Sequence, residues 1–162
     1  MKSRLLIIAL LTSFSSFGQT DGCFKNLKSL TLLTETISTY RPNNWDDAYT
    51  QMEVYDVYNK RFNYADSILN VVYQELHSTL DCLIQSDTFF EESYYSEMKS
   101  TIITGQKAWV ITRDADASFY YSTAFGGWIN NQWYLNELTH STRIRTEKLL
   151  DMITSLQEAH SR

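Results

Sequence analysis

The sequence predicts an all-α fold: a small antiparallel bundle of about four helices, two or three of them long. Three observations point there. The 162 residues hold one Pro and five Gly, too few chain-reversing residues for a sandwich or barrel. Between Cys23 and Thr104 there is no Gly at all, and the only Pro is Pro42. Apolar residues recur at three- and four-residue steps over long stretches, with no sustained alternation to support a sheet. The composition, 43% hydrophobic and 20% charged, fits an ordinary globule and argues against both disorder and a polytopic membrane protein.

The elements follow in chain order. Residues 1–18 read as a secretory signal peptide: Met1 to Arg4 is a short basic start and Leu5 to Leu11 an apolar run. Ser16 and Gly18 place small residues at −3 and −1 of a cut before Gln19. The apolar run is much shorter than the ~20 residues of a membrane span. Thr20-Asp21-Gly22 is a poor approach to a lipidated Cys23. The expectation is soluble export of residues 19–162 as a single helical domain, periplasmic or extracellular, with no membrane insertion after signal removal.

Leu27, Leu30, Leu33 and Ile37 form the stripe of a first helix between Asn26 and Thr39. Tyr40 to Asn44 ends it. Asn44 is the expected cap of a second helix, with Asp46 and Asp47 at the positive end of its dipole. That helix runs to about Ile84, with Met52, Tyr55, Phe62, Leu69, Tyr73, Leu76 and Leu80 on one drifting face. A helix of ~60 Å invites a bend or break, expected near Arg61. Gln85 to Thr88 reads as a turn capped by Ser86 or Asp87. The third helix is expected from Phe89 to Ala117, with Glu91 and Glu92 in its first turn and a stripe of Ile102, Gln106, Trp109, Val110 and Arg113. Gly105 interrupts it, at a cost of about 1 kcal/mol relative to Ala, and predicts close approach of another backbone. Ser118 to Gly127 reads as a loop. A fourth helix follows from about Trp128 to Ala159, with Trp133, Leu138, Leu149, Met152, Ile153 and Leu156 inward.

The formal net charge is −5. Loss of Lys2 and Arg4 with the signal leaves 12 basic against 19 acidic residues, a net of −7. Nothing in that balance holds nucleic acid or anionic lipid, whereas cationic partners are favoured. Cys23 and Cys82 are the only cysteines, and an even count in an oxidising compartment predicts one disulfide, two buried thiols being the alternative. His77, His140 and His160 are scattered, and neither a zinc-ligand spacing nor a nucleophile elbow nor a phosphate-cradling Gly loop is present. The expectation is a protein with no catalytic residue, metal or cofactor. The acidic pairs Asp46-Asp47, Glu91-Glu92 and Asp114 with Asp116 read as solvated helix ends.

Polar residues on the apolar stripes carry more information. Asp66, Asn70 and Tyr73 share a face at i, i+4 and i+7, and so do Gln106, Trp109 and Arg113 on the third helix. Burying such groups costs several kcal/mol unless they are paired. Pairing Asp66 or Asp114 with Arg113 or Arg145 across the bundle would satisfy them and hold the helices in register.

These residues carry a resemblance. Gln51-Met-Glu53, Ala65-Asp66-x-x-Leu69-Asn70-x-x-Tyr73-x-x-Leu76, Gln106-x-x-Trp109-x-x-x-Arg113-Asp114, Gly126-Gly127 and Thr142-Arg-x-Arg145-Thr-x-x-Leu149 resemble, in order and spacing, the lysozyme inhibitor LprI-like N-terminal domain family, over about residues 51–149. The resemblance implies a small exported helical envelope protein, and the name-giving branch inhibits lysozyme. Asp66, Leu69, Asn70, Tyr73, Gln106, Trp109, Arg113, Asp114 and Arg145 are the signature residues it singles out. Family members carry cysteines at the positions of Val57, Ala117 and Glu137 here, so Cys23 with Cys82 would be a local substitute for a missing set.

If inhibition is retained, the partner is a lysozyme or another cationic envelope protein with two carboxylates in a deep cleft, to be met by acidic, aromatic protrusions. Two segments fit. Asp87 to Glu97 offers Asp87, Glu91, Glu92, Tyr94 and Tyr95, and Asp114 to Trp128 offers Asp116 and Tyr120 among further aromatics. The alternative is a structural or interaction module of the envelope with no lysozyme-directed activity.

Overall fold

The computed structural model describes residues 21–43, 45–86, 92–123, 127 and 129–161. The expected signal peptide, the Asn44 cap, Asp87, Phe89, Phe90, Glu91 and Gly126 lie outside the described residues. A short 3₁₀ turn, Asp21–Phe24, precedes four helices: α1 (Leu27–Thr39), α2 (Gln51–Ser86), α3 (Glu92–Thr123) and α4 (Ile129–His160). Among the described residues there is no strand. Successive long helices run antiparallel, which leaves α2 and α4 parallel to each other. Asp81 pairs with Lys99 and Asp66 with Arg113 between α2 and α3, while Gln106 meets Arg145 and Tyr95 meets His160 between α3 and α4. Numbers rise on one helix as they fall on its neighbour. This is the bundle expected of three long helices joined by short connections.

The start of α2 differs from the expectation, because another cap takes the role given to Asn44. Thr50 Oγ1 accepts from the Glu53 backbone N–H at 3.2 Å, and Glu53 Oε2 accepts from the backbone N–H groups of Tyr49 and Thr50 at 3.1 and 2.8 Å. This reciprocal capping box satisfies orphan donors that Asn44 would have reached six residues too early. The backbone hydrogen bond from Thr50, chiefly, holds the Glu53 carboxyl below its ordinary pKa. From Gln51 the helix is unbroken through Arg61, where a bend or break was expected.

α3 also outruns its expected end at Ala117. Residues 118–123, read as loop, are its last turns. Their hydroxyls turn back on the helix: Ser118 Oγ donates to Asp114 O at 2.7 Å and Ser122 Oγ to Ser118 O at 2.9 Å. Aromatic crowding does not stop a helix, and no Gly or Pro stands between Gly105 and Gly126. Gly105 itself contradicts the close approach expected of it. It is exposed, and a Cβ built there would meet nothing within 4 Å.

The core is α2 against α4, with α1 and the 3₁₀ turn closing one side. Leu69, Val72, Leu76, Leu80 and Leu83 of α2 pack with Leu149 and Ile153 of α4, Leu30 and Ile37 of α1, and Cys23, Phe24 and Tyr95. Each fully buried leucine contributes about 2 kcal/mol. A smaller cluster, Ala117 with Leu135 and Leu138, packs against Tyr58, Phe62 and Tyr134 further along the bundle. Met52 and Tyr55, expected inside, are exposed because the inward face of α2 at this end passes through Val57 and Tyr58. Cys23 and Cys82 are joined with Cα atoms 5.6 Å apart. The bridge ties the 3₁₀ turn to α2 across 59 residues of chain, a closure worth about 4 kcal/mol in loop entropy. Thr79 Oγ1 adds a bond to Cys23 O at 3.3 Å.

Candidate functional site

The polar residues of the apolar stripes meet between the two core clusters. Arg113 of α3 has a side chain only 10% exposed. Its Nη1 reaches Asp66 Oδ1 of α2 at 3.3 Å, and its Nε donates to Asp114 Oδ1 at 2.9 Å. The guanidinium lies 5.0 Å from the Trp109 ring centroid and 5.5 Å from that of Phe62. Arg145 of α4 also lies over Trp109, at 5.8 Å, and its Nε donates to Gln106 Oε1 at 2.8 Å. Burial lowers the Arg145 pKa from its ordinary value, and Tyr73 acts against that shift. Asn70 Nδ2 donates to Asp66 Oδ2 at 3.3 Å, while Leu69 is buried among the core leucines. All three long helices thus contribute to one ladder of cation–π contacts and hydrogen bonds. Arg145 takes an amide partner, where a carboxylate was one of the expected options.

The arginines of the ladder are engaged by partners within the chain, while Asp66 and Asp114 at its edge are 38% and 50% exposed. The two segments singled out for partner contact sit at opposite ends of α3. Tyr94 and Tyr120 are 26 residues apart along it, roughly 40 Å at the helical rise. One small contact cannot use both. At the first end, Tyr94 and Glu97 are exposed on the rim of an apolar groove of about 810 Å³ between α3 and α4. Glu92 is the first residue of α3. Tyr95, paired with Tyr94 in sequence, points the other way. It is buried in the main core, and its hydroxyl lies 2.7 Å from His160 Nε2. The same imidazole donates from Nδ1 to Leu156 O at 2.6 Å, which leaves Nε2 to accept from Tyr95.

The second end is more open. Asp116, Phe119, Tyr120 and Thr123 fall at three- and four-residue steps along α3, which sets them in one row. Phe119 is 66% and Tyr120 44% exposed. Across the row stands Trp133 of α4, expected inside and found 44% exposed. Phe119, Tyr120, Thr123, Trp133, Asn136 and Glu137 line a shallow cavity of about 390 Å³. Ser141 Oγ donates to Glu137 Oε1 at 2.8 Å, which orients that carboxylate. Trp133 and Glu137 were not among the expected contact residues. The helical phase held the signal, since Trp133 lies about 140° around α4 from Leu138, well off the core face.

The fold and the ladder define a small all-α protein whose long helices are linked by Arg113 and Arg145 and which carries exposed aromatic residues on α3 and α4. The family model for lysozyme inhibitor LprI matches residues 43–149, about two thirds of the chain, and the chain belongs to that family. Among curated proteins and among solved structures no match is found. The match spans α2, α3 and most of α4, including every residue of the Arg113–Trp109–Arg145 ladder. Among the described residues no helix is long and apolar enough to cross a membrane, and no group of His, Cys, Asp and Glu is placed to hold a metal ion.

Proposed function

We propose that this protein is exported and acts by binding, without catalysis, to block a cationic glycan hydrolase of the lysozyme kind. The observation that carries the proposal is the row of exposed aromatic residues at the end of α3, Phe119 and Tyr120 facing Trp133, with Asp116 and Glu137 beside them. Rigid aromatic side chains lose little entropy on binding and dominate interface energetics. Neighbouring carboxylates steer a basic partner and match its charge. Family membership and the acidic net charge support the same reading. Tyr94 and Glu97, with Asp87, Glu91 and Glu92 nearby in sequence, form the second candidate surface at the other end of α3.

Mixing the protein with lysozyme in a cell-wall lysis assay should give a stoichiometric loss of activity that weakens with salt. Asp116→Lys and Tyr120→Ala should each weaken inhibition at least about tenfold, a loss of about 1.4 kcal/mol. No inhibition at micromolar protein against several lysozyme types would sink the proposal.

A second reading has its own observation. The signature ladder is made of internal contacts, so the family match speaks first for a scaffold, and the same scaffold would serve an envelope module that binds another protein. Under that reading Asp116→Lys leaves lysozyme untouched, while a pull-down from envelope extract captures a different basic protein.

A further inference from the structure

We infer that a cavity between α1, α2 and α4, which shares only Asn136 with the lining of the aromatic cavity, binds a phosphate group. The cavity measures about 330 Å³. Its walls carry Arg61 from α2, His140 and Arg143 from α4, Ser38 from the last turn of α1 and Asn136 from α4, and no carboxylate. In a chain with 19 acidic residues against 14 basic ones, a cleft whose lining carries two arginines and no carboxylate is against the prevailing charge.

The cationic groups are held in place before any ligand arrives. The Arg61 guanidinium lies 4.9 Å from the Trp45 ring centroid, and among the described residues it has no carboxylate partner. Arg41 approaches the same ring at 5.9 Å, which brings a third guanidinium to this side of the molecule. Arg143 Nη1 is fixed by Glu147 Oε1 at 2.5 Å, which occupies one edge of its fork and leaves its remaining N–H groups available. Groups ordered in advance lose less freedom on binding.

The directions of approach choose the ligand. Asn136, His140 and Arg143 follow one another at i, i+4 and i+7 on one side of α4, while Arg61 and Ser38 come from two other helices. A planar carboxylate is satisfied by a single arginine fork. Donors arriving from three helices suit a tetrahedral anion, and arginine matches phosphate both in charge and in geometry. The phosphate is either the free ion or an ester on a sugar, since Ser38 and Asn136 supply uncharged hydrogen-bonding groups at the same opening.

The test is titration of the purified protein with inorganic phosphate and, separately, glucose 1-phosphate, at ionic strength held constant with chloride, read by calorimetry and by the NMR resonances of the His140 ring. Saturable binding of either probe with movement of the His140 signals is expected. Equal affinity identifies the free ion as the ligand, and tighter binding of the ester identifies a phosphorylated glycan. Arg61→Gln and Arg143→Gln should each weaken binding at least about tenfold, the scale of one charge-assisted hydrogen bond, with the helical circular-dichroism signal kept. Absence of saturable binding by both probes, binding that leaves His140 unmoved, or full affinity retained in both folded variants would overturn the inference. No hydrolase takes part, so this outcome is independent of the inhibition assay.

Discussion

Arg113 on α3 reaches Asp66 on α2 at 3.3 Å, across 47 positions of sequence, while its guanidinium carbon lies 5.0 Å from the Trp109 ring centroid. The pair does more for register than for raw energy. Asp66 is 38% exposed, so water screens much of the Coulomb term. The cation–π contacts with Trp109 and Phe62, and the packing of a long side chain, are less screened. Arg113→Ala should therefore cost on the order of 2 kcal/mol, and Asp66→Asn well under 1 kcal/mol. Denaturant melts of both variants measure this. Equal losses would assign the stability to the ion pair instead of the stack.

The Thr50–Glu53 box sets where α2 begins. Thr50→Ala removes an acceptor from the Glu53 N–H and a donor to its carboxylate, and should cost about 1 kcal/mol. Fraying confined to the first turn of α2, seen as faster amide exchange near Glu53, is the accompanying signature. An unchanged melt with unchanged exchange would mean that α2 needs no cap there.

That cap is legible in the sequence as Thr50-x-x-Glu53, the capping-box spacing, six residues beyond the expected Asn44. The long helices were easier. Leu69, Leu76, Leu80, Leu149 and Ile153 keep their phase across many turns, and all five are buried. The Asp66–Arg113 pairing was also accessible, because a charge on an apolar stripe must be answered from another helix. Buried threonines left no such trace. Thr139, Thr142 and Thr146 line the inner face of α4, and Thr139 and Thr146 bond their own helix at Leu135 O and Thr142 O. A hydroxyl that can be answered four residues back reads as surface polarity in the sequence. Of the aromatic row at the end of α3, Asp116 and Tyr120 were among the expected contact residues, and the facing Trp133 was not. Trp133, about 140° around α4 from Leu138, was legible as outward only when the phase of the whole helix was followed from its buried residues.

Gly105 gives the cleanest stabilising substitution. It lies in the interior of α3, exposed, and apart from its own helical backbone and chain neighbours nothing stands within 4 Å of where a Cβ would be. Gly105→Ala gives up no contact and narrows the unfolded ensemble, so it should raise stability by about 1 kcal/mol. The midpoint of chemical unfolding should rise with no change in its slope. A fall would mean that a partner or another conformation needs the bare backbone at this position.

His77 makes stability depend on pH. Its imidazole is half-buried on α2, edge-on to Tyr73 at 4.5 Å, and among the described residues its Nε2 has no hydrogen-bond partner. Burial, chiefly, lowers its pKa from the ordinary value. The Lys99 ammonium lowers it further, and Asp81, the carboxylate paired with Lys99, acts in the opposite sense. The folded chain therefore takes up this proton less readily than the unfolded chain. The stabilising contribution is fully present above the unfolded value of about 6.5 and is lost as pH falls through the lower folded value. Melting temperature should drop between about pH 7.5 and about pH 5, and His77→Phe, which keeps a ring against Tyr73, should make that drop smaller. Carboxylates such as Glu53, whose pKa is also lowered, act in the same direction at lower pH, so the comparison belongs above their range. An identical drop in wild type and His77→Phe would place the acid sensitivity in another group.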